Sequence, residues 1–188
     1  MAFGYQVLGF GSGVSAGEAT APEVAWLGAR GVFCGGTITD NEPINVIEYI
    51  TIASTGNATD FGDVITGRGG GGACSNGSRL VYGGGGTKYT ATKALNVIEY
   101  LTIGSLGNTS DFGDLTVTRR QVAAAASNAT IGMWLGGHDG AGSTQNTVDK
   151  VNIASTGNAT DHGDLSMAKG NGSATSNGTR AVYAGGDG

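Results

Sequence analysis

The sequence is short of cysteine, proline and charged residues, and these shortages exclude several classes of protein. The two cysteines, Cys34 and Cys74, are too few for a disulfide scaffold, so two free, buried thiols are predicted. Only 13% of the residues are charged, the net charge is −5, and the largest basic cluster is the pair Arg119–Arg120. Because a nucleic-acid groove needs many cations to neutralise phosphates, nucleic acid is not an expected partner.

Long apolar runs are missing as well. No stretch of about 18 apolar residues could span a bilayer, so membrane insertion is not expected. The first residues lack a basic region followed by an apolar core, and no signal peptide is predicted. Glycine is abundant, with 37 residues, but it shows no period of three, which excludes collagen.

What the sequence does contain is a repeat. The string GNATDFGD at residues 56–63 returns as GNTSDFGD at 107–114 and as GNATDHGD at 157–164, at spacings of 51 and 50 residues. Around it, each unit carries four strand-like pieces, represented by GGACSNG, RLVYGGG, NVIEYITIAS and TDFGDVIT. Turn-forming Asn-Gly, Gly-Asn and Gly-Gly pairs separate these pieces. Four strands in about 50 residues is typical of one blade of a β-propeller.

A family resemblance follows from three features of the unit. A Gly-Gly pair ends the second strand, an aromatic residue stands just before that pair, and the strand Asn-Val-Ile-Glu-Tyr follows. These features resemble the Kelch repeat, whose second strand ends in Gly-Gly and whose third strand carries a tyrosine. The longer string NVIEYITIASTGNATDFGD is similar to Kelch-like propeller repeats in structural proteins of tailed phages, marine phages especially.

The predicted fold is therefore all-β: a propeller of four four-stranded blades in a single domain over residues 1–188. Outer strands are expected in residues 1–20, blades at about 21–67, 68–119 and 120–169, and inner strands at 170–188. The N- and C-terminal strands then share one blade and close the ring. In the alternative arrangement two chains share one eight-bladed ring, so a homo-oligomer remains open.

The repeated motif itself has two interpretations. Asn57, Asp60 and Asp63 could offer hard oxygen ligands to Ca²⁺. The same residue types also form turns, because Asn tolerates a left-handed backbone and Asp caps turns. The spacing of an EF-hand is absent, so a turn is favoured, and neither a metal nor a cofactor is predicted.

Two sets of equivalent residues are predicted to be structural. The acids Glu48, Glu99 and Asp149 and the bases Arg68, Arg119 and Lys169 recur once per unit, as ion pairs or a polar edge would, whereas a catalytic carboxylate pair normally occurs once. The aromatics of the second strand also recur once per unit and are expected to wedge blade against blade in preference to stacking on sugars. They are Phe33, Tyr82, Trp134 and Tyr183.

Residues that break the repeat are the candidates for binding a ligand or partner. They are Trp26, Tyr89 and His138. No catalytic triad or metal-ligand spacing surrounds the two histidines, so no enzyme activity is predicted.

The expected function is a structural or adhesive module, and the resemblance implies a component of a phage virion, in its tail, fibre or decoration. Its partners would be other virion proteins or a host-surface glycan. The alternative is a lectin-like propeller that binds carbohydrate. Outside a virion, a cytoplasmic location is expected.

The ring-closure hypothesis makes a first testable prediction. Deleting residues 1–13 should cause aggregation or a large loss of thermal stability, because an inner strand would lose its partner and expose a sticky edge. Light scattering and a thermal melt measure both effects. A monomer with unchanged melting would refute closure by these residues.

Overall fold

The computed structural model describes residues 29–38, 42–87, 93–122 and 124–188. They form thirteen β-strands and no α-helix, which confirms the all-β class. No helix in this part of the chain is long and apolar enough to cross a membrane. The predicted outer strands in residues 1–20 lie outside the described residues.

The strands form four separate antiparallel sheets in chain order, and none of the sheets closes on itself. The first sheet contains β1 (Arg30–Thr37), β2 (Pro43–Thr51) and β3 (Thr59–Asp63). The second contains β4 (Gly69–Ser75), β5 (Arg79–Gly86), β6 (Leu95–Thr102) and β7 (Ser110–Arg119). The third contains β8 (Ala124–Ser127), β9 (Ile131–Leu135), β10 (Thr147–Asn152) and β11 (Thr160–Asp164). The fourth contains β12 (Gly170–Ser176) and β13 (Ala181–Asp187).

Within each sheet the strands lie side by side in the order in which they occur in the sequence, so hairpins join neighbouring strands. Asparagine shapes the turn between the first and second strands. The Asn76 side chain accepts hydrogen bonds from the amides of Ser78 (3.0 Å) and Arg79 (2.8 Å), and Asn128 and Asn177 make the same pair of bonds in the next two sheets. These asparagines belong to the N-x-S/T sequons, and here they act as turn residues.

In each of the first three sheets, the last two strands of the sheet are paired with a β-bulge at the same place; these are β2 and β3, β6 and β7, and β10 and β11. The register shifts between Ile47 and Glu48, and the equivalent shift recurs in the second and third sheets. The extra residue on the fourth strand is Phe61, Phe112 or His162. The bulge places the acidic residue of each third strand beside a locally bent fourth strand.

The apolar core lies between consecutive sheets. One cluster of buried residues joins the first and second sheets and includes Ile47, Leu80 and Tyr82. A larger cluster joins the second and third sheets and includes Val81 and Trp134. No such cluster of described residues joins the third and fourth sheets, where Met167 and Val182 remain exposed.

The two cysteines are free thiols, as predicted. Cys74 is buried and Cys34 is half-buried. Burial raises the pKa of each thiol to about 12, and for Cys34 the nearby Arg68 guanidinium opposes this shift. Neither side chain is therefore a thiolate nucleophile at neutral pH.

Candidate functional site

The repeated motif connects one sheet to the next, because its first half binds the second half of the preceding copy. At the first junction, the amide of Gly107 donates to the carbonyl of Phe61 (2.9 Å) and the amide of Thr109 donates to the carbonyl of Asp63 (2.9 Å). The Asn108 side chain accepts a hydrogen bond from the amide of Asp63 (3.0 Å). The asparagine thus satisfies the backbone of the neighbouring sheet.

The second junction repeats this geometry. The amide of Gly157 donates to Phe112 (2.7 Å), the amide of Ala159 donates to Asp114 (2.7 Å), and Asn158 accepts from the amide of Asp114 (3.0 Å). Gly113 makes this approach possible, since its φ is +145° and a Cβ there would lie 2.5 Å from the carbonyl carbon of Gly157. We call this set of contacts the motif junction.

Three copies of the motif form two motif junctions, which leaves one half of the contact open at each end. The leading half at residues 56–58 is exposed, although Thr109 and Ala159, which are equivalent to Ala58, are buried. The trailing half in β11 is also open, and His162 is exposed where Phe112 is 2% exposed.

The motif side chains that the Ca²⁺ alternative would use are partly engaged by the backbone. Within the described part of the chain, no group of three or more His, Cys, Asp or Glu residues is arranged to hold a metal ion. The motif asparagines Asn108 and Asn158 use their side-chain oxygens to accept backbone amides.

A buried ion pair supports each motif junction from inside. Arg68, which leads from the first sheet into β4, pairs with Glu99 on β6, and both side chains are fully buried. The Glu99 carboxylate also accepts hydrogen bonds from the amide of Ile65 (2.9 Å) and from the Thr109 hydroxyl. The guanidinium stacks over the Tyr82 ring at 4.6 Å. One carboxylate therefore links the connection between two sheets, the third strand and the motif.

The next ion pair joins Arg119 to Asp149 and is also fully buried. Arg119 donates to the carbonyls of Gly136 (2.8 Å) and Thr147 (2.7 Å), while Asp149 accepts from the Thr116 hydroxyl (2.6 Å). Burial lowers the pKa of Arg119, and the Asp149 carboxylate opposes that shift. Hydrogen bonds around both ions offset the cost of removing them from water.

The third acid and the third base of this set remain apart. Glu48 is exposed, and no described basic side chain lies within ion-pair distance of it. Lys169 leads into the fourth sheet as Arg68 and Arg119 lead into theirs, but no described acid forms an ion pair with it. Asp187 of β13, which pairs with Gly170, contacts His138 and Asn171 instead.

The predicted aromatic set divides in the same way. Tyr82 (3% exposed) and Trp134 (0%) pack against the preceding sheet, and the Trp134 indole donates to the carbonyl of Gly72 (2.9 Å). Phe33 is 57% exposed, since no described sheet precedes its own. Tyr183 is half-buried and lies against Gly172 of its own sheet. Only the two inner members form the expected wedges.

Of the three residues that break the repeat, only His138 is described. Its side chain is 12% exposed, its Nδ1 lies 3.3 Å from the Gly142 carbonyl, and its Nε2 lies 3.5 Å from the Asp187 carboxylate. The ring thus connects a loop of the third sheet with the end of β13. Trp26 and Tyr89 lie outside the described residues, and a binding role for these three residues stays a prediction.

A further recurring arginine escaped the sequence analysis. Arg79 stacks over Tyr100 at 4.5 Å and donates to the carbonyls of Ile153 (3.1 Å) and Ala154 (2.9 Å) in the following sheet. Arg30 acts equivalently, over Tyr49 and toward Ile103. The signal was available, because an arginine stands at the same position of the second strand in three units.

A cavity of about 200 Å³ lies between the third and fourth sheets. Its lining combines apolar side chains with hydroxyls and two basic groups, and includes Met133, His162, Ser176, Thr179 and Arg180. It lies where the fourth sheet has only two described strands.

Comparison with protein-family models gives no match for this chain, and comparison with curated proteins gives none either.

The motif junction predicts a difference between two equivalent glycines. Gly113→Ala should destabilise the protein by about 3 kcal/mol, since alanine would combine an unfavourable positive φ with a backbone clash. Gly163→Ala should cost only about 1 kcal/mol, because its φ of +127° is unfavourable but no atom lies within 4 Å of the added Cβ. Urea unfolding measures both. Equal losses would contradict the proposed contact.

The buried ion pairs predict a second contrast. Glu99→Gln should cost about 3–5 kcal/mol because it leaves the Arg68 charge buried without its partner. The matched control is Glu48→Gln at the equivalent exposed position, which should change stability by less than about 0.5 kcal/mol. Thermal and urea unfolding of the two variants provide the test, and a small loss for Glu99→Gln would show that the pair is dispensable.

Proposed function

We propose that the four sheets are blades of a Kelch-like β-propeller and that the chain is a non-enzymatic structural or adhesive module of a tailed-phage virion. In this proposal the ring has four blades and is closed by terminal strands that share one blade. Hairpin-linked sheets in sequence order, packed through aromatic wedges and Gly-Gly strand ends, support the propeller. The string NVIEYITIASTGNATDFGD supports the phage assignment through its resemblance.

The observation that carries the functional proposal is the use of the repeated charges inside the protein. Glu99 and Asp149 are fully buried, and each accepts hydrogen bonds from an arginine, a backbone amide and a threonine hydroxyl. Carboxylates in such positions cannot reach a substrate, so they act in assembly of the sheets and not in acid–base catalysis. This favours a scaffold over an enzyme.

The surface left for partners is rich in glycine and in neutral polar residues. The turns at residues 105–108 and 155–158 expose Ser, Gly and Asn close together, with Leu106 also exposed in the first of them, and the equivalent turn of the first sheet exposes Ser, Thr, Gly and Asn. Similar turns placed in a row suit a broad contact with another virion protein or with a repeated glycan, where several weak contacts act together.

Two measurements test this function. Mass spectrometry of purified virions should find the chain in many copies per particle, and antibodies against it should label a defined part of the particle in electron micrographs. Its absence from purified virions would overturn the virion assignment.

A glycan array separates the structural module from the lectin alternative. The structural proposal expects no glycan to bind above background, and a saturable glycan signal would favour the lectin. Trp26→Ala and Tyr89→Ala variants with unchanged melting would then show whether these aromatics contribute to binding, since aromatic rings can stack on ligands.

A further inference from the structure

The fourth sheet has two described strands, whereas the second and third sheets have four. Its second strand, β13, pairs with β12, and no described strand pairs with its other edge. Every residue of β13 except Tyr183 is exposed. The equivalent strands β5 and β9 are each paired on both edges. An exposed strand edge of this kind is a template for another strand.

The cavity beside this edge corresponds to a filled position in the preceding interface. It is lined by Met133 and His162 of the third sheet and by Ser176 and Arg180 of the fourth. Their equivalents one repeat earlier are Val81, Phe112, Ser127 and Ile131. There the space holds Ile153, which belongs to the same buried cluster as Val81 and Phe112 and is 0% exposed. The cavity therefore has the location of the isoleucine that directly follows the third strand.

Lys169 is the second feature that points to an added strand, because no described acid pairs with it. The equivalent Arg68 and Arg119 each pair with an acid on the third strand of the sheet they lead into. In the repeat, that acid stands four residues before the buried isoleucine, as Glu99 does before Ile103. A strand on the edge of β13 that placed an isoleucine in the cavity would present its acid toward Lys169.

The third feature is β11, the outer strand of the third sheet, to which no described Gly-Asn segment binds. At both motif junctions a Gly-Asn segment of the next sheet binds the fourth strand of the preceding one. At β11 no described residue does so, and the space above Gly163 is open. A Gly-Asn turn that follows the same added strand would lie here.

We propose that the open edge of the fourth sheet binds a β-hairpin with the sequence pattern of the repeat's own third and fourth strands, added by β-augmentation. The pattern is an acid, an isoleucine four residues later, a Gly-Asn turn and a short fourth strand. One hairpin satisfies the strand edge, the cavity, Lys169 and β11 together. The inference follows from the sheet-to-sheet contacts and does not depend on the virion assignment. Where ring closure would place residues 1–20 on this edge, the hairpin competes with them for it.

The recognition chemistry is divided between backbone and side chains. Backbone hydrogen bonds to β13 would supply affinity, whereas the cavity and Lys169 would select the isoleucine and the acid. The first sheet shows what such a hairpin looks like when its face is uncovered: Ile52 is 62% exposed, although the equivalent Ile103 is 7% exposed. Its sequence is therefore a suitable probe.

The test uses the full chain and a labelled synthetic peptide with the sequence of residues 45–63, measured by fluorescence anisotropy. Saturable binding is expected, together with slower hydrogen exchange of the β13 amides. Within the peptide, Ile52→Asp should abolish binding and Glu48→Lys should weaken it about tenfold or more. A peptide that does not bind at about 1 mM, the limit of weak specific association, overturns the proposal.

Charge reversal on the protein sharpens the test. Lys169→Glu should weaken binding of the natural peptide by about the same factor and should restore binding of the Glu48→Lys peptide. The matched control is Lys93→Glu, an exposed lysine in the second sheet's connection, which should bind like the unmodified chain. If Lys169→Glu does not fold, the two peptide variants still decide the outcome. Equal binding of natural and Glu48→Lys peptides to the unmodified chain would overturn the proposal.

Discussion

The buried ion pair at each sheet junction is the interaction on which the rest of the structure depends. Arg68 comes from the connection between two sheets, and Glu99 comes from the third strand of the second of them. Around this pair converge the amide of Ile65, the Thr109 hydroxyl and the ring of Tyr82. Removing two charges from water is costly, and the hydrogen bonds around Glu99 offset part of that cost, although Arg68 Nε has no hydrogen-bond partner among the described residues. The pair forms only where the two sheets meet, so it couples their placement.

The motif junction is a second constraint on neighbouring sheets. It joins the first half of one copy of the motif to the second half of the preceding copy. Gly-Asn of one copy contacts the backbone of the fourth strand in the preceding copy, and Gly113 allows the two backbones to meet. In an open row of repeats, each repeat contacts only its neighbours. The first copy of the motif then has an unused first half, and the last copy has an unused second half. The exposure of Phe33, Ile52 and Val182 has the same origin, since each would be covered by a sheet that no described residues supply.

These two constraints also bear on function. Two of the repeated acid–base pairs are buried between the sheets, and the outward turns carry mostly Ser, Thr, Asn and Gly. Such a surface suits assembly and adhesion through many weak contacts. The open edge of the fourth sheet differs from this surface, because an unpaired strand, a cavity and the charge of Lys169 lie close together there. A specific partner is expected at that edge, whereas the turns suit broad contacts.

The sequence by itself determined the all-β class, the repeat, the four strands of the second and third units and the asparagine turns, because alternation, β-branched residues and turn chemistry are local properties. It also identified Glu99, Asp149 and their arginines as one recurring set. It could not assign Arg68 to the acid of the following sheet. It also could not separate buried Trp134 from exposed Phe33, because these two residues are equivalent in the repeat. Burial and pairing depend on which sheet lies alongside, and that is a property of the three-dimensional neighbourhood. Only the tertiary structure decided which copies of each repeated residue are satisfied and which remain open.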